Sequence, residues 1–228
     1  MRRNSEQLEP LQLRASGPMA CFSRPELKVE RVSYQVMTPS AARGLLEAVL
    51  WKPAICWRIE RIKVLNKIRW VAFRRNEVNS RASAPSEKVI AHGGPAPRLF
   101  ADEDRAQRNT VALADVDYVI EARFELTDRA GPSDNRAKFV DMFRRRLERG
   151  QHYHQPYFGC REFVADVEPV DDDTPLPIDE SRDLGMMLYD IHYSAGGNRP
   201  IFFPARLDHG ILEVPANLQA SLTAGGAA

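Results

Sequence analysis

The sequence predicts an α+β fold, with a ferredoxin-like core, an inserted β-hairpin and a small C-terminal antiparallel β-domain. Three observations predict it. Stretches rich in Ile, Val, Trp and Phe outnumber the two well-signalled helical patterns. Short apolar runs in the last third are divided by Gly, Asn and Pro. A chain of 228 residues, 43% of them hydrophobic, can also build one large or two small domains with real cores.

Residues 1–18 read as an N-terminal arm and first strand, with "LQLRASGPMACF" running into a turn. Residues 19–168 form the core, 169–215 the small β-domain, and 216–228 a disordered tail ending in "LTAGGAA". "TPSAARGLLEAVLW" is a helix: Thr38 caps it, Pro39 suits its first position and Pro53 stops it. "ICWRIERIKVL" and "KIRWVAFRR", separated by Asn66, read as the antiparallel strands of a hairpin. Residues 79–98 are polar and rich in Ser, Pro and Gly, and are expected to form a mobile surface loop. "NTVALADV" and "DYVIEARFEL" read as a further strand pair, with Tyr118, Ile120, Ala122 and Phe124 on one face. "DNRAKFVDMFRRRLERG" is an amphipathic helix whose apolar stripe is Phe139, Val140, Phe143 and Leu147. "FGCREFVADVEPV" is expected to return as a strand, and "MMLYDIHYS", "PIFFPARL" and "GILEVP" supply the β appendage. This order is the two-layer plan that RNA-recognition modules also use.

The formal net charge of +1 conceals patterning. From Trp51 to Arg81 there are nine Lys or Arg against two acids, Glu60 and Glu77. The second helix adds Arg136, Lys138, Arg144, Arg145, Arg146 and Arg149, whereas "VDDDTPLPIDESRD" at 170–183 is acidic. Such a molecule can face a polyanion on one side, and the acidic segment is expected to face away from it. Arg74 and Arg75 end a strand carrying Trp70 and Phe73, a combination suited to phosphate contact beside an aromatic surface. Lys52, Arg58, Arg61 and Lys63 alternate imperfectly, so only some share a face. Arg43 has Glu47 four residues on as a helical ion-pair partner.

Other classes are disfavoured. No run approaches the roughly 20 apolar residues of a membrane span, and the first residues lack a hydrophobic signal region. Cys21, Cys56 and Cys160 are widely spaced, fitting a reducing cytoplasm and giving no zinc site. P-loop, GxSxG and HExxH motifs are missing, so nucleotide-hydrolysis, serine-hydrolase and zinc-protease readings have little support. No metal and no cofactor is expected.

"CFSRPELKVERVSYQVMTPSAARGLLEAVLWKPAICWRIERIKVLNKIRWVAFRRNEVNS", with "ALADVDYVIEARFELTDRAG" and "GCREF", resembles the fifth Cas family in its "d" form. That family supplies the subunit of type I-C Cascade that processes precursor crRNA. The resemblance spans most of residues 20–192; Ala15 to Met19 depart from the family's Trp-Gly-Asp-Tyr-like run. It implies binding of the repeat-derived crRNA handle beside backbone and large Cascade subunits. It also implies metal-independent cleavage in which a ribose 2′-OH attacks the neighbouring phosphate.

The family places a Tyr before Trp-Lys-Pro and a Lys-His pair at the start of the second helix. Here those positions are Leu50, Lys138 and Phe139. Neither Leu nor Phe can move a proton. Lys138 is therefore the retained catalytic candidate, and His152 and His154, just beyond the helix, are the possible substitutes. Lys52, Arg74, Arg75, Lys138 and Arg145 are the expected RNA contacts. Three readings stay open: an RNA-binding subunit with weakened or lost cleavage, a competent nuclease using Lys138 with a recruited His or Tyr, and a protein scaffold.

Overall fold

The computed structural model describes residues 9–27, 29–194 and 197–219. The expected arm (before residue 9) and the end of the tail (from 220) lie outside them. Among the described residues, nine strands make one mixed but mainly antiparallel sheet in the order β6-β1-β5-β3-β9-β8-β7, with β2 and β4 also on β5. The elements run β1 (Leu11–Ala20), β2 (Arg31–Val32), α1 (Pro39–Val49), β3 (Ile55–Val64), β4 (Arg69–Val78), α2 (Glu87–His92), β5 (Arg105–Leu126), α3 (Arg136–Glu148), β6 (Asp166–Glu168), β7 (Arg182–Ser194), β8 (Gly197–Asp208) and β9 (Ile211–Glu213).

The α1 helix starts where its sequence says: Thr38 Oγ1 accepts from the Ala41 N–H at 3.3 Å, with Pro39 at the first position. Its stripe of Ala42, Leu45, Leu46 and Val49 is buried. The α3 helix starts at Asn135, whose side chain accepts from the Lys138 N–H at 2.9 Å, and buries Phe139, Phe143 and Leu147. Phe139 meets Phe124 edge-on at 6.1 Å, and Trp57 packs between Phe124 and Phe143. Both helices thus close over one face of the sheet.

Two strand assignments are corrected. β3 and β4 are not partners in a hairpin; both pair antiparallel with β5, β3 along Tyr118–Leu126 and β4 along Arg105–Ala114. The segments read as a second strand pair are instead this one strand of 22 residues. The reason lies at Asp115, which takes φ 48 and bends β5 without ending it; Asp tolerates this left-handed geometry better than most residues. Asn66 Nδ2 donates to the Asp115 carbonyl at 2.9 Å, so the β3–β4 joint caps the bend instead of reversing the chain. Local turn residues were present, but a longer pairing partner won.

The expected returning strand shrinks to β6, three residues on the β1 edge. Residues 157–165 before it form a turn held by the Tyr157–Val164 bridge. Gly17 allows this turn to approach: a Cβ there would sit 2.8 Å from the Val164 carbonyl and 3.0 Å from the Phe158 ring. Within 79–98, read as loop throughout, Ser86 caps the exposed helix α2. The strands of the appendage form as expected, and β9 joins them to the same sheet through β3.

Candidate functional site

The basic residues of β3 and β4 are largely spoken for. Arg58 pairs with Glu125, Arg69 with Asp115, and Arg61 with Glu213 at 2.7 Å and Glu121 at 3.4 Å. Lys63 reaches the buried Glu121 at 2.6 Å. Burial opposes ionisation of Glu121, but hydrogen bonds from Lys63 and Gln12 win and hold its carboxyl below the usual range. Arg75 points to the inner side of β4, pairs with Glu162 and Glu77, and lies 5.6 Å over Phe73. Arg74, on the opposite side, donates to the side-chain carbonyls of Gln107 and Asn109, each at 3.4 Å, beside the exposed Trp70. The sequence grouped Arg74 with Arg75; the pleat separates them.

Around α3 the cations are differently disposed. Lys138 is exposed, with its Nζ 2.7 Å from Asp134 Oδ1 and 5.7 Å from the Phe139 ring. That bond, then one from the Gly131 N–H, lowers the Asp134 pKa, and Lys52 contributes through space. Lys52, 86 residues before Lys138 in sequence (138 minus 52), thus acts on the same carboxylate. Arg144, Arg145 and Arg149 are exposed and make no ion pair among the described residues. Arg146 instead turns inward, and its Nη1 donates to the Val49 carbonyl at 2.9 Å.

A cleft of about 460 Å³ opens between the C-terminal end of α1 and the segment after α3, lined by Glu47, Trp51, Lys52, Pro53, Arg146, Tyr153 and His154. The Tyr153 N–H donates to the Ala48 carbonyl at 2.7 Å, which ties that segment to α1. Trp51 and Tyr153 are exposed, offering aromatic faces beside Lys52 and Arg146. His154 Nδ1 lies 3.1 Å from the Gln155 carbonyl, which accepts from it when Nδ1 carries the proton. Burial raises the Glu47 pKa, opposed by Arg43 and by His154. A cation pair, an imidazole and a phenol around one opening can hold a phosphate and move a proton.

Leu50 and Phe139 take no part: they are 0% and 2% exposed. The Leu50 backbone is committed too, its N–H donating to Leu46 and its carbonyl accepting from Trp57 Nε1 at 2.9 Å. His152 is exposed and is not among the residues lining the cleft, whereas His154 is. Sequence reasoning missed Trp51, Tyr153, Arg146 and Glu47. An aromatic at 51 followed by Lys52 was a usable signal, but only the fold brings them to Tyr153 and His154. Arg43 does meet Glu47 at 3.5 Å, yet its main partner is Asp190 on β7, which no local pattern announces.

The family model described as CRISPR-associated protein (Cas_Cas5), in its Cas5d form, matches residues 10–215. A protein of Mannheimia succiniciproducens named CRISPR pre-crRNA endoribonuclease Cas5d is 45% identical over 213 residues, covering 90% of this chain and 94% of its own. One of the same name from Thermus thermophilus is 41% identical over 224 residues, covering 90% and 91%. Among solved structures, a CRISPR-associated protein superposes with a TM-score of 0.66 at 20% identity, covering 92% of this chain and 93% of its own. The chain belongs to the Cas5d family of CRISPR-associated proteins.

Proposed function

We propose that this chain is the crRNA-holding subunit of a type I-C Cascade complex, that it grips the repeat-derived handle, and that its cleavage of precursor crRNA is weakened or lost. One observation carries the last point: the two positions where the family resemblance expects a proton-moving Tyr and His hold Leu50 and Phe139, both buried in the core. RNA as the substrate is supported by the relatives' name and by Arg144, Arg145 and Arg149 of α3, exposed and without an ion pair among the described residues. The strand order β6-β1-β5-β3, with α1 and α3 on one face, supports a ferredoxin-like core. Strands β7–β9 are then a small C-terminal unit, with backbone and large Cascade subunits as partners. The site of action is the cytoplasm; no helix among the described residues is long and apolar enough to cross a membrane.

The cleft favours a second reading, a competent metal-independent endoribonuclease with His154 and Tyr153 as proton carriers and Lys52, Arg146 and Lys138 holding phosphate. The test is incubation of the purified protein with its own array's repeat RNA in EDTA. Binding without efficient cutting supports the first reading, and Leu50→Tyr with Phe139→His then raises the rate, since each acid or base is worth roughly 10²- to 10⁴-fold. Rapid wild-type cutting that His154→Ala abolishes establishes the second. Cutting indifferent to both Lys138→Ala and His154→Ala overturns both placements.

A further inference from the structure

Neither reading uses the cysteines, yet two of them meet. Cys21 directly follows β1 and is fully buried; Cys160 lies in the 157–165 turn and is half-buried. Their segments run side by side, with the Cys21 N–H donating to the Phe158 carbonyl at 3.1 Å. Cys160 Sγ lies 3.7 Å from the Cys21 carbonyl oxygen. Ser23 Oγ bridges the sulfurs, 3.6 Å from one and 4.0 Å from the other. The approach is built into the chain: Gly159 takes φ +78, and a Cβ there would collide with the Cys21 carbonyl. Arg31, itself 2.8 Å from Glu162, turns its charge toward the pair.

We propose that Cys21 and Cys160 form a thiol-oxidation site that a hydroperoxide closes to a disulfide, stapling the 157–165 turn to the end of β1.

The roles differ. The bond from Cys21 brings the Cys160 thiol down to about 7, against burial and Glu162 and with help from Arg31 and Ser23. The same bond, with burial, keeps Cys21 protonated. Cys160 is thus the thiolate and the more accessible sulfur. It attacks the peroxide oxygen: an S–O bond forms, the O–O bond breaks, and the departing hydroxide or alkoxide takes a proton. Sulfur is oxidised by two electrons and the peroxide reduced, leaving a sulfenic acid at Cys160. Cys21 then gives up its proton and attacks that sulfur; the S–S bond forms, the S–O bond breaks, and water leaves. Two thiols and one hydroperoxide become one disulfide and two molecules of water, or water and an alcohol.

The full-length protein is exposed to a small excess of hydrogen peroxide, quenched with a thiol alkylator and read by intact and peptide mass spectrometry. The expected product has lost two hydrogens, yields a Cys21–Cys160 linked peptide, and reverts with dithiothreitol. Closing so long a loop raises the oxidised protein's melting temperature by several degrees. Cys160→Ser abolishes the product, Cys56→Ser leaves it intact, and Cys21→Ser leaves a trappable sulfenic acid at Cys160. Oxidation of Cys160 no faster than the exposed Cys56, or sulfenic acid in the wild type without the linked peptide, overturns the proposal.

Discussion

On β3, Arg58, Arg61 and Lys63 each look across the sheet at a carboxylate on β5 or β9. On α3, Arg144, Arg145 and Arg149 stand exposed with no carboxylate partner among the described residues. In the sequence the first region is the more basic-looking, because its acids arrive from Glu121, Glu125 and Glu213, far along the chain. Cross-strand pairing spends that charge on register and on satisfying a buried acid. The helix has no facing strand on its outer side, so its charge stays available to a polyanion. Cations counted along a chain are therefore a poor measure of those a ligand meets.

The largest effect that tests this contrast is on RNA affinity. Replacing Lys138, Arg144, Arg145 and Arg149 together with Ala is expected to weaken repeat-RNA binding by 10²-fold or more. Each lost phosphate contact lowers the log–log salt slope by about 0.7 to 0.9. The matched change on β3, Arg58→Ala with Arg61→Ala, leaves the slope where it was; a flattened slope there instead would erase the distinction.

Next comes stability. Lys63→Met leaves Glu121 buried with Arg61 as its remaining ion-pair partner among the described residues, and is expected to cost about 2 kcal/mol at pH 7 in urea unfolding. The sign follows from Glu121, whose folded pKa is depressed. Its ionised form stabilises the protein above the ordinary glutamate pKa of about 4.3, and this is lost as pH falls through the folded value. The mutant's deficit should therefore shrink below about pH 4; a constant deficit would place its origin in packing.

Arg74 and Arg75 offer a smaller, internal version of the comparison. Arg74→Ala is expected to lower the salt slope by one contact without moving the unfolding midpoint. Arg75→Ala does the reverse, because it strips Glu162 and Glu77 of a partner. The smallest effect is at Asp134→Asn, which releases Lys138 without touching the core: RNA binding tightens slightly, and the midpoint shows no measurable change.

What was legible in the sequence was local. Thr38, Pro39 and Pro53 mark α1, the stripe from Phe139 to Leu147 identifies the inner face of α3, and Leu50 and Phe139 read as apolar because they are buried. What failed was partner choice. A turn-like Asn66 between two apolar runs is compatible with a hairpin, and only the competing length of β5 decides against it. The cleft failed for the same reason: its linings come from the end of α1 and the segment after α3, and proximity across about a hundred residues leaves no periodic trace. Lys138, read as a surface lysine with a role, is where a sequence pattern and an exposed position coincide.

The length of β5 has a consequence for how the molecule is made. It is the shared partner of β1, β2, β3 and β4, and it is complete only at Leu126. During synthesis at about 5–20 residues per second, β1 waits roughly 5–20 s after its own emergence before it can pair. Over that interval β1 and β3, apolar on their inward positions, and the charged β4 all have open edges, the condition in which nascent chains associate wrongly or recruit chaperones. Once β5 emerges, four strands gain their neighbour in one event. Folding should then be abrupt and late, and a ribosome-stalled chain ending before Leu126 should be protease-sensitive throughout, including the β1 that opens the fold.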